Sequence, residues 1–150
     1  MKISLKINSK YKVPEIHVCS SENTAEIRNL YHTVKEAVEE NLVAYQDKEA
    51  VSIRCRDVIR IFSANKFVYL ETADARLRIK ERLYEMEEKL DKTRFVRISN
   101  SEIVNLRKIN RMDTSITGTI KMYLEGEIET YVSRRYVSKI KTAFEEYINN

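Results

Sequence analysis

Apolar and polar residues alternate in several short stretches of this chain, and a period of two is typical of strands that are buried on one face. Residues 3–7 alternate in this way and residues 16–19 form a second short apolar run, so the chain is predicted to begin with two strands. Over residues 24–41 the apolar positions recur every three or four residues, which predicts an amphipathic helix. Asn23 and Glu26 have the spacing of a capping box at the start of this helix.

Beyond residue 50 the pattern changes to short runs of β-branched and aromatic residues, which are typical of strands. These runs cover residues 51–53, 58–61, 67–70, 76–79 and 95–98, with a further apolar run at 103–106 and a hairpin of residues 117–124 and 128–132. A short amphipathic helix is predicted at 80–91, and Ser133 can cap a final helix. No two predicted helices are joined by the short turn that a helix-turn-helix requires.

These elements predict a mainly β chain with some α structure, of the α+β class, in two domains. Residues 1–46 form an N-terminal β-β-α extension, and residues 47–150 form a domain of small antiparallel sheets with two short helices. A length of 150 residues, 43% of them hydrophobic and 33% charged, is enough for one domain with a core and a small appendage.

The composition excludes several classes of protein. Gly118 and Gly126 are the two glycines, and their spacing fits no glycine-rich phosphate loop. No apolar run is long enough to span a membrane, and the N-terminus lacks the apolar core of a signal peptide. Cys19 and Cys55 are far apart and form no CxxC motif, so we expect reduced thiols in a cytoplasmic protein, without a metal site or a disulfide.

Candidate catalytic residues are few. His17 and His32 are the two histidines, and neither has a Ser, Cys or acidic partner at a recognisable spacing. The acidic residues cluster on predicted helix faces among lysines and arginines, which is typical of solvated surfaces. We therefore expect no enzymatic activity, no cofactor and no small-molecule substrate.

The basic residues are distributed unevenly along the chain. Residues 1–46 contain as many acidic as basic side chains, so the whole net charge of +4 lies in residues 47–150. This asymmetry is compatible with a polyanionic partner. Several basic and polar residues fall at turns and strand ends, where binding side chains are often found. They are Lys66 in a turn, Arg97, Ser99 and Asn100 at a strand end, and Arg134 and Arg135 at the start of the last helix.

These residue types suit contacts with nucleic acids. Arginine makes bidentate contacts with guanine, asparagine with adenine, and lysine contacts phosphate or guanine. The backbone N–H groups at the start of a helix also favour a phosphate. Arg134 and Arg135 oppose the dipole of their own helix, which favours an external anion. The alternative is that both arginines pair with surface carboxylates.

Residues from about 50 to 145 resemble the LytTR family of bacterial DNA-binding domains, and two segments carry most of the resemblance. Residues 95–109, FVRISNSEIVNLRKI, are similar to the family core F-x-R-[IC]-H-[RKN]-S-[YF]-[IV]-V-N, and residues 132–137, VSRRYV, are similar to its terminal S-R-R-Y segment. Residues 59–70 and the helix at 83–90 match the elements that precede this core. The resemblance implies small antiparallel sheets with two helices, whose loops enter successive major grooves of promoter DNA, commonly at direct repeats.

The resemblance also assigns roles to individual residues. Lys66, Asn100 and Arg135 become the candidates for reading bases. Arg97, Ser99, Ser101 and Arg134 become candidates for phosphate or supporting contacts. Ile103, Val104 and Leu106 are expected in the core, and Asn105 is expected to fix a local turn.

The chain departs from the family pattern at two positions. Ser99 stands where the family usually has histidine, and Glu102 stands where it usually has an aromatic residue. Glu102 must point away from the DNA, pair with Arg107 or Lys108, or accept a hydrogen bond from cytosine. These departures affect the target sequence more than binding itself.

The resemblance implies a stand-alone family member without a receiver domain. Its expected partner is duplex DNA, bound as a homodimer or as a tandem pair, and such members are often encoded beside a small membrane protein that restrains them. Residues 1–46 then either dock a partner or a second copy, or only cap a sheet edge. Two other functions stay open: RNA binding by exposed aromatic residues, and sequestration of another regulator through the helix at 24–41.

Overall fold

The computed structural model describes residues 4–10, 15–38 and 41–149. The chain divides into two compact units, Met1–Glu39 and Glu40–Asn150. The division falls earlier than the predicted boundary at residue 46, because residues 41–46 form a strand of the second unit's sheet. Leu42 and Ala44 of this strand are buried, which explains why it belongs to that unit.

The first unit contains one regular element, helix α1 (Ala25–Ala37), among its described residues. The two predicted strands are wrong where the chain is described, since residues 4–10 and 15–24 are irregular; the start of the first, at Ile3, lies outside the described residues. Leu5 and Ile7 are 86% and 87% exposed. Alternation alone does not make a strand when no neighbouring strand or apolar surface covers it.

The start of α1 also differs from the prediction. Thr24 is the N-cap, because its Oγ1 accepts a hydrogen bond from the backbone N–H of Ile27 at 3.3 Å. Asn23 instead accepts a hydrogen bond from the Arg28 guanidinium at 3.1 Å through its Oδ1.

Over residues 41–149, the second unit contains ten strands, two α-helices and three short 3₁₀ helices. In chain order the strands and α-helices are β1 (Asn41–Gln46), β2 (Glu49–Arg54), β3 (Val58–Ala64), β4 (Phe67–Thr72), β5 (Arg76–Ile79), α2 (Leu83–Lys89), β6 (Phe95–Ser99), β7 (Glu102–Asn105), β8 (Ile109–Asp113), β9 (Ile120–Leu124), β10 (Ile128–Val132) and α3 (Val137–Asn149). The predicted α+β class is confirmed. Strands β1 and β8 were not predicted.

The strands form two antiparallel sheets. The larger has seven strands in the order β2-β1-β5-β4-β3-β7-β6, and the smaller has three in the order β10-β9-β8. Strand β7 is buried along its whole length and lies between β3 and β6. Because β3 and β7 are antiparallel neighbours, the β3–β4 and β6–β7 turns lie at the same end of the larger sheet.

Two hydrophobic clusters lie on opposite faces of β7. Ile103 belongs to a cluster with Leu70 and Met86, under helix α2. Val104 belongs to a second cluster with Met122 and Ile140, from the smaller sheet and helix α3. The expected burial of Ile103, Val104 and Leu106 is confirmed. Asn105 is fully buried and bonds the backbone of Val58 and Arg107, so its predicted turn-fixing role is also confirmed.

A partly buried charged network lies beside β7. Arg60 contacts Glu71 at 2.6 Å and Glu102 at 3.1 Å, and Glu102 accepts a hydrogen bond from the Thr130 hydroxyl at 2.5 Å. Burial lowers the pKa of Arg60, but the hydrogen bond to Glu71 and the charge of Glu102 outweigh it, so the pKa lies above its ordinary value. Glu102 thus points into the protein, and its partner is Arg60 rather than Arg107 or Lys108.

Replacing Arg60 by methionine leaves Glu71 and Glu102 without their shared cation. We expect the variant to lose about 3 kcal/mol of unfolding free energy, measured by urea denaturation at neutral pH. The control is Arg76→Met, which removes an arginine 3.2 Å from Glu71 whose side chain is 55% exposed. It is expected to cost less than about 1 kcal/mol. If both variants lost the same free energy of unfolding, the lower exposure of Arg60 would not explain its larger expected effect.

Candidate nucleic-acid interface

The β3–β4 and β6–β7 turns are direct neighbours in the larger sheet. The backbone N–H of Ser63 donates to the carbonyl of Ser101 at 2.8 Å, one position beyond the paired residues Phe62 and Glu102. This bond extends the β3–β7 pairing into the turns. Two segments that are distant in sequence, carrying Lys66 and Asn100, are thereby held side by side.

The β3–β4 turn is a tight hairpin with an unusual residue in it. Ala64 pairs with Phe67, so Asn65 and Lys66 are its two central residues, with φ of 51° and 69°. Positive φ at both positions is the mark of a type I′ turn, in which glycine is strongly preferred at the second. Lys66 therefore occupies a conformation that is unfavourable for a residue with a Cβ. Its side chain is exposed.

The β6–β7 turn is held in shape by Arg97. Its guanidinium donates to the carbonyl oxygens of Ser99 and Asn100, at 2.9 and 2.6 Å. The third contact of the guanidinium is with Glu87 of α2, at 2.6 Å. Ser99 Oγ accepts from the backbone N–H of Ser101 at 3.2 Å, which closes the turn. Of the two roles expected for Arg97, this geometry favours support over phosphate contact.

Glu87, on helix α2, holds the Arg97 guanidinium in position. Burial raises the pKa of its carboxyl, but the hydrogen bond and charge of Arg97, with a smaller contribution from Lys139 at 3.5 Å, outweigh burial and hold the pKa below its ordinary value. Glu87 therefore stays ionised at neutral pH. It ties α2 and α3 to the turn that carries Asn100.

The side chains of Asn100 and Arg135 meet although they are far apart in sequence. Arg135 Nη2 lies 3.3 Å from Asn100 Oδ1, and the Tyr136 hydroxyl lies 3.4 Å from the same oxygen. Arg135 also donates to the Tyr136 hydroxyl at 3.2 Å. Tyr136 is not among the predicted site residues; its place in the S-R-R-Y segment is the signal that could have found it.

The start of the last helix differs from the prediction. Residues Arg134–Tyr136 form a 3₁₀ turn before α3, and the Ser133 side chain makes no capping hydrogen bond. Its backbone acts instead: the Ser133 N–H donates to the Ile98 carbonyl at 2.9 Å, and its carbonyl accepts from Tyr136. The predicted Ser133 cap is therefore wrong, because the backbone of β6 fixes this segment.

Arg134 points to a different neighbour from Arg135. Gly118 has φ of 80°, and a Cβ there would lie 3.0 Å from Arg134 Nε. Both arginines are exposed, and in the described ranges no carboxylate lies within 4.0 Å of either. This observation argues against the alternative that the two arginines pair with surface carboxylates.

The structure therefore groups most of the predicted site residues. Asn100, Arg135, Arg97, Ser99 and Ser101 form one cluster, Lys66 occupies the adjacent turn, and Arg134 lies beside Gly118. Over the residues that the structure covers, no group of three or more His, Cys, Asp or Glu side chains could hold a metal ion. None of the described helices is long and apolar enough to cross a membrane.

Residues 48–145 match the family model of the LytTr DNA-binding domain. The chain belongs to this family. The family resemblance of residues 95–109 and 132–137 is thus confirmed. A solved LytTr DNA-binding domain from Bacillus cereus has a similar fold, with a TM-score of 0.67 and 20% identity over 70% of this chain and 96% of that chain.

Two relatives of this LytTr protein come from Staphylococcus aureus and carry the name "uncharacterized HTH-type transcriptional regulator". The relative from strain MSSA476 is 37% identical over 142 residues, which are 94% of this chain and 96% of the relative. The relative from strain NCTC 8325 / PS 47 is 36% identical over the same shares of the two chains. The similarity therefore includes the first unit as well as the LytTr domain.

The LytTr domain is not built on consecutive helices. Within residues 41–149, strands β6 to β10 separate α2 from α3. The term HTH in the relatives' names thus does not describe this part of the chain. Turns and the start of α3 carry the candidate residues instead.

Glu87→Gln removes the charge that holds Arg97. A carboxyl whose pKa is lowered by folding stabilises the protein above its ordinary pKa, and this contribution is lost as pH falls through the lowered value. We expect Glu87→Gln to be less stable than wild type by roughly 0.5–1 kcal/mol at neutral pH, and the difference to vanish in acid. Urea denaturation across the pH range measures it. Glu88→Gln, at the exposed neighbouring position, should show no such pH-dependent difference.

Proposed function

We propose that this protein is a transcriptional regulator that binds specific duplex DNA through the β3–β4 turn, the β6–β7 turn and the start of α3. Lys66, Asn100 and Arg135 read bases in successive major grooves. Promoter sites arranged as direct repeats are bound by two copies of the chain. The family membership supports DNA binding, and the geometry of these three residues supports the finer assignment.

The observation that carries the proposal is the contact between Asn100 and Arg135. Both side chains are exposed, they lie 3.3 Å apart, and they present an amide and a guanidinium on one surface. These two groups are suited to adenine and guanine edges in the major groove. The contact holds both groups in defined positions before DNA is bound, which reduces the entropy lost on binding.

The conformation of Lys66 supports the same surface. A lysine at φ of 69° costs free energy that glycine would avoid, and such strain is often retained where the side chain has a function. The turn carries Lys66 beside the β6–β7 turn, which holds Asn100. Two neighbouring hairpin turns then offer cationic and amide groups to one ligand.

Arg135→Ala tests the base-reading assignment. We expect it to weaken binding to a selected duplex site by roughly 1–3 kcal/mol and to relax the base preference at one position, while random duplex is affected much less. The site is first obtained by selection from genomic fragments, and affinities are measured by fluorescence anisotropy. Arg54→Ala, at an exposed position on strand β2, is the matched control. If Arg135→Ala kept wild-type affinity and preference, the assignment would be wrong.

The variant Lys66→Gly is expected to change folding stability and DNA binding in opposite directions. Relief of the positive φ should raise the free energy of unfolding by about 0.5–1 kcal/mol. Loss of the cation should weaken DNA binding, and if Lys66 contacts a phosphate, the slope of log affinity against log salt should fall by about one. Thermal unfolding and a salt titration measure the two effects. A variant that gained stability with unchanged DNA affinity would remove Lys66 from the site.

Competition distinguishes the other two functions. Single-stranded RNA that displaced the selected duplex at lower concentration than unlabelled duplex would favour RNA binding. Absence of salt-dependent binding to any nucleic acid would favour a protein-interaction module. The docking role predicted for residues 1–46 stays a prediction.

A further inference from the structure

An open cleft of about 1250 Å³ extends from the β3–β4 turn along the larger sheet, and most of its lining lies outside the base-reading turns. Residues of β1, β4 and β5 line it, together with the β1–β2 and β3–β4 turns and the segment that leads into α2. Six cationic residues line it: Lys48, Lys66, Arg76, Arg78, Lys80 and Arg82. Only two carboxylate residues, Asp47 and Glu81, line it as well. We call this surface the basic cleft.

The alternation of β5 explains why three of the cations share one face. Leu77 and Ile79 are buried in the core, so Arg76, Arg78 and Lys80 project from the opposite face. Aromatic residues of β1 and β4 lie on this face beside them.

Most of this charge is not neutralised within the protein. In the part of the chain that the structure describes, no carboxylate lies within 4.0 Å of Lys48, Lys66, Arg78 or Lys80. Glu81 is itself engaged by Lys89 at 3.7 Å. Cations brought together without counter-charges repel one another, and a bound polyanion removes that repulsion.

The aromatic rings determine which part of a nucleic acid fits. The Arg78 guanidinium lies 3.6 Å from the centre of the Phe67 ring, and the Lys80 ammonium lies 4.3 Å from that of Tyr45. These ring faces are already covered by cations, so they are not free to stack on bases. A guanidinium stacked on a ring keeps its N–H groups directed outward at its edge, where they suit phosphate oxygens. The chemistry therefore favours phosphates over unpaired bases.

Lys66 connects the basic cleft with the base-reading surface, because its side chain lines the cleft while its turn lies beside the Asn100 turn. We propose that the basic cleft binds the phosphodiester backbone of duplex DNA that flanks the bases read by the turns, with Arg78 and Lys80 as its main phosphate contacts. This inference rests on the proposed function. It extends the DNA interface from the turns onto the sheet face.

Salt titrations of the double variant Arg78→Ala/Lys80→Ala test the inference, with the full-length chain, the selected duplex and a random duplex. Two lost phosphate contacts should lower the slope of log affinity against log salt by about two, and should weaken binding on the order of tenfold at moderate salt. Because phosphates carry no sequence, both duplexes should be weakened equally and the preference for the site should be kept. Arg78→Lys, which keeps the charge, should retain most of the affinity.

Arg111 offers a matched control. Its guanidinium lies 3.7 Å from the centre of the Tyr123 ring in the smaller sheet, so it is an arginine stacked on a ring outside the basic cleft. Arg111→Ala should leave the salt slope unchanged, whereas Arg78→Ala alone should lower it by about one. Unfolding midpoints of all variants close to that of wild type would exclude loss of folding as the cause.

Each of the following three outcomes would overturn the inference. A double variant with wild-type affinity and salt slope, while Arg135→Ala still loses site preference, would reject the basic cleft and leave the proposed function intact. Wild-type protein without salt-dependent binding to duplex DNA would reject both. Polyglutamate that binds wild type but not the double variant, with DNA affinity unchanged in that variant, would assign the cleft to an acidic protein segment instead.

Discussion

The partly buried contact between Arg60 and Glu102 is the interaction on which the rest of this domain depends. Arg60 lies on β3, Glu102 begins β7, and Glu102 in turn accepts a hydrogen bond from Thr130 on β10. The network thus joins the larger sheet to the smaller one. Buried charges are costly unless each is paired, so the network favours a single register of β3 against β7 over any shifted one. That register sets the β3–β4 and β6–β7 turns side by side.

The same network explains how the domain accommodates Glu102, which stands where the family usually has an aromatic residue. Glu102 would repel phosphates if it faced the ligand, yet its side chain is 9% exposed and neutralised by Arg60. Its carboxylate therefore takes no part in the surface that carries Asn100. The charge of Glu102 stabilises the structure that carries the site. The electrostatic potential at that surface is set by the cations Lys66, Arg134 and Arg135.

Local patterns predicted most of the second unit, because each strand there alternates or is rich in β-branched residues. They failed at β1, since Asn41 and Leu42 continue the helical spacing of the preceding segment, and at β8, where polar residues interrupt the run. They also failed at residues 4–7, where alternation exists but the described part of the first unit contains no partner strand. Positions at turns and strand ends identified most of the candidate site residues, and the family resemblance added Ser101 and the role of each residue. The partners of those residues, Glu87 for Arg97 and Tyr136 for Asn100, required long-range contacts that no local spacing encodes.

Gly118 affects the candidate site indirectly, through the side chain of Arg134. Because a methyl group there would crowd the Arg134 guanidinium, the absence of a side chain sets how closely that arginine folds back toward the segment between β8 and β9. A substitution in this segment would then redirect one cation at the start of α3 and leave Asn100 and Arg135 untouched. A position of this kind changes the orientation of one surface cation without changing any side chain of the Asn100–Arg135 contact.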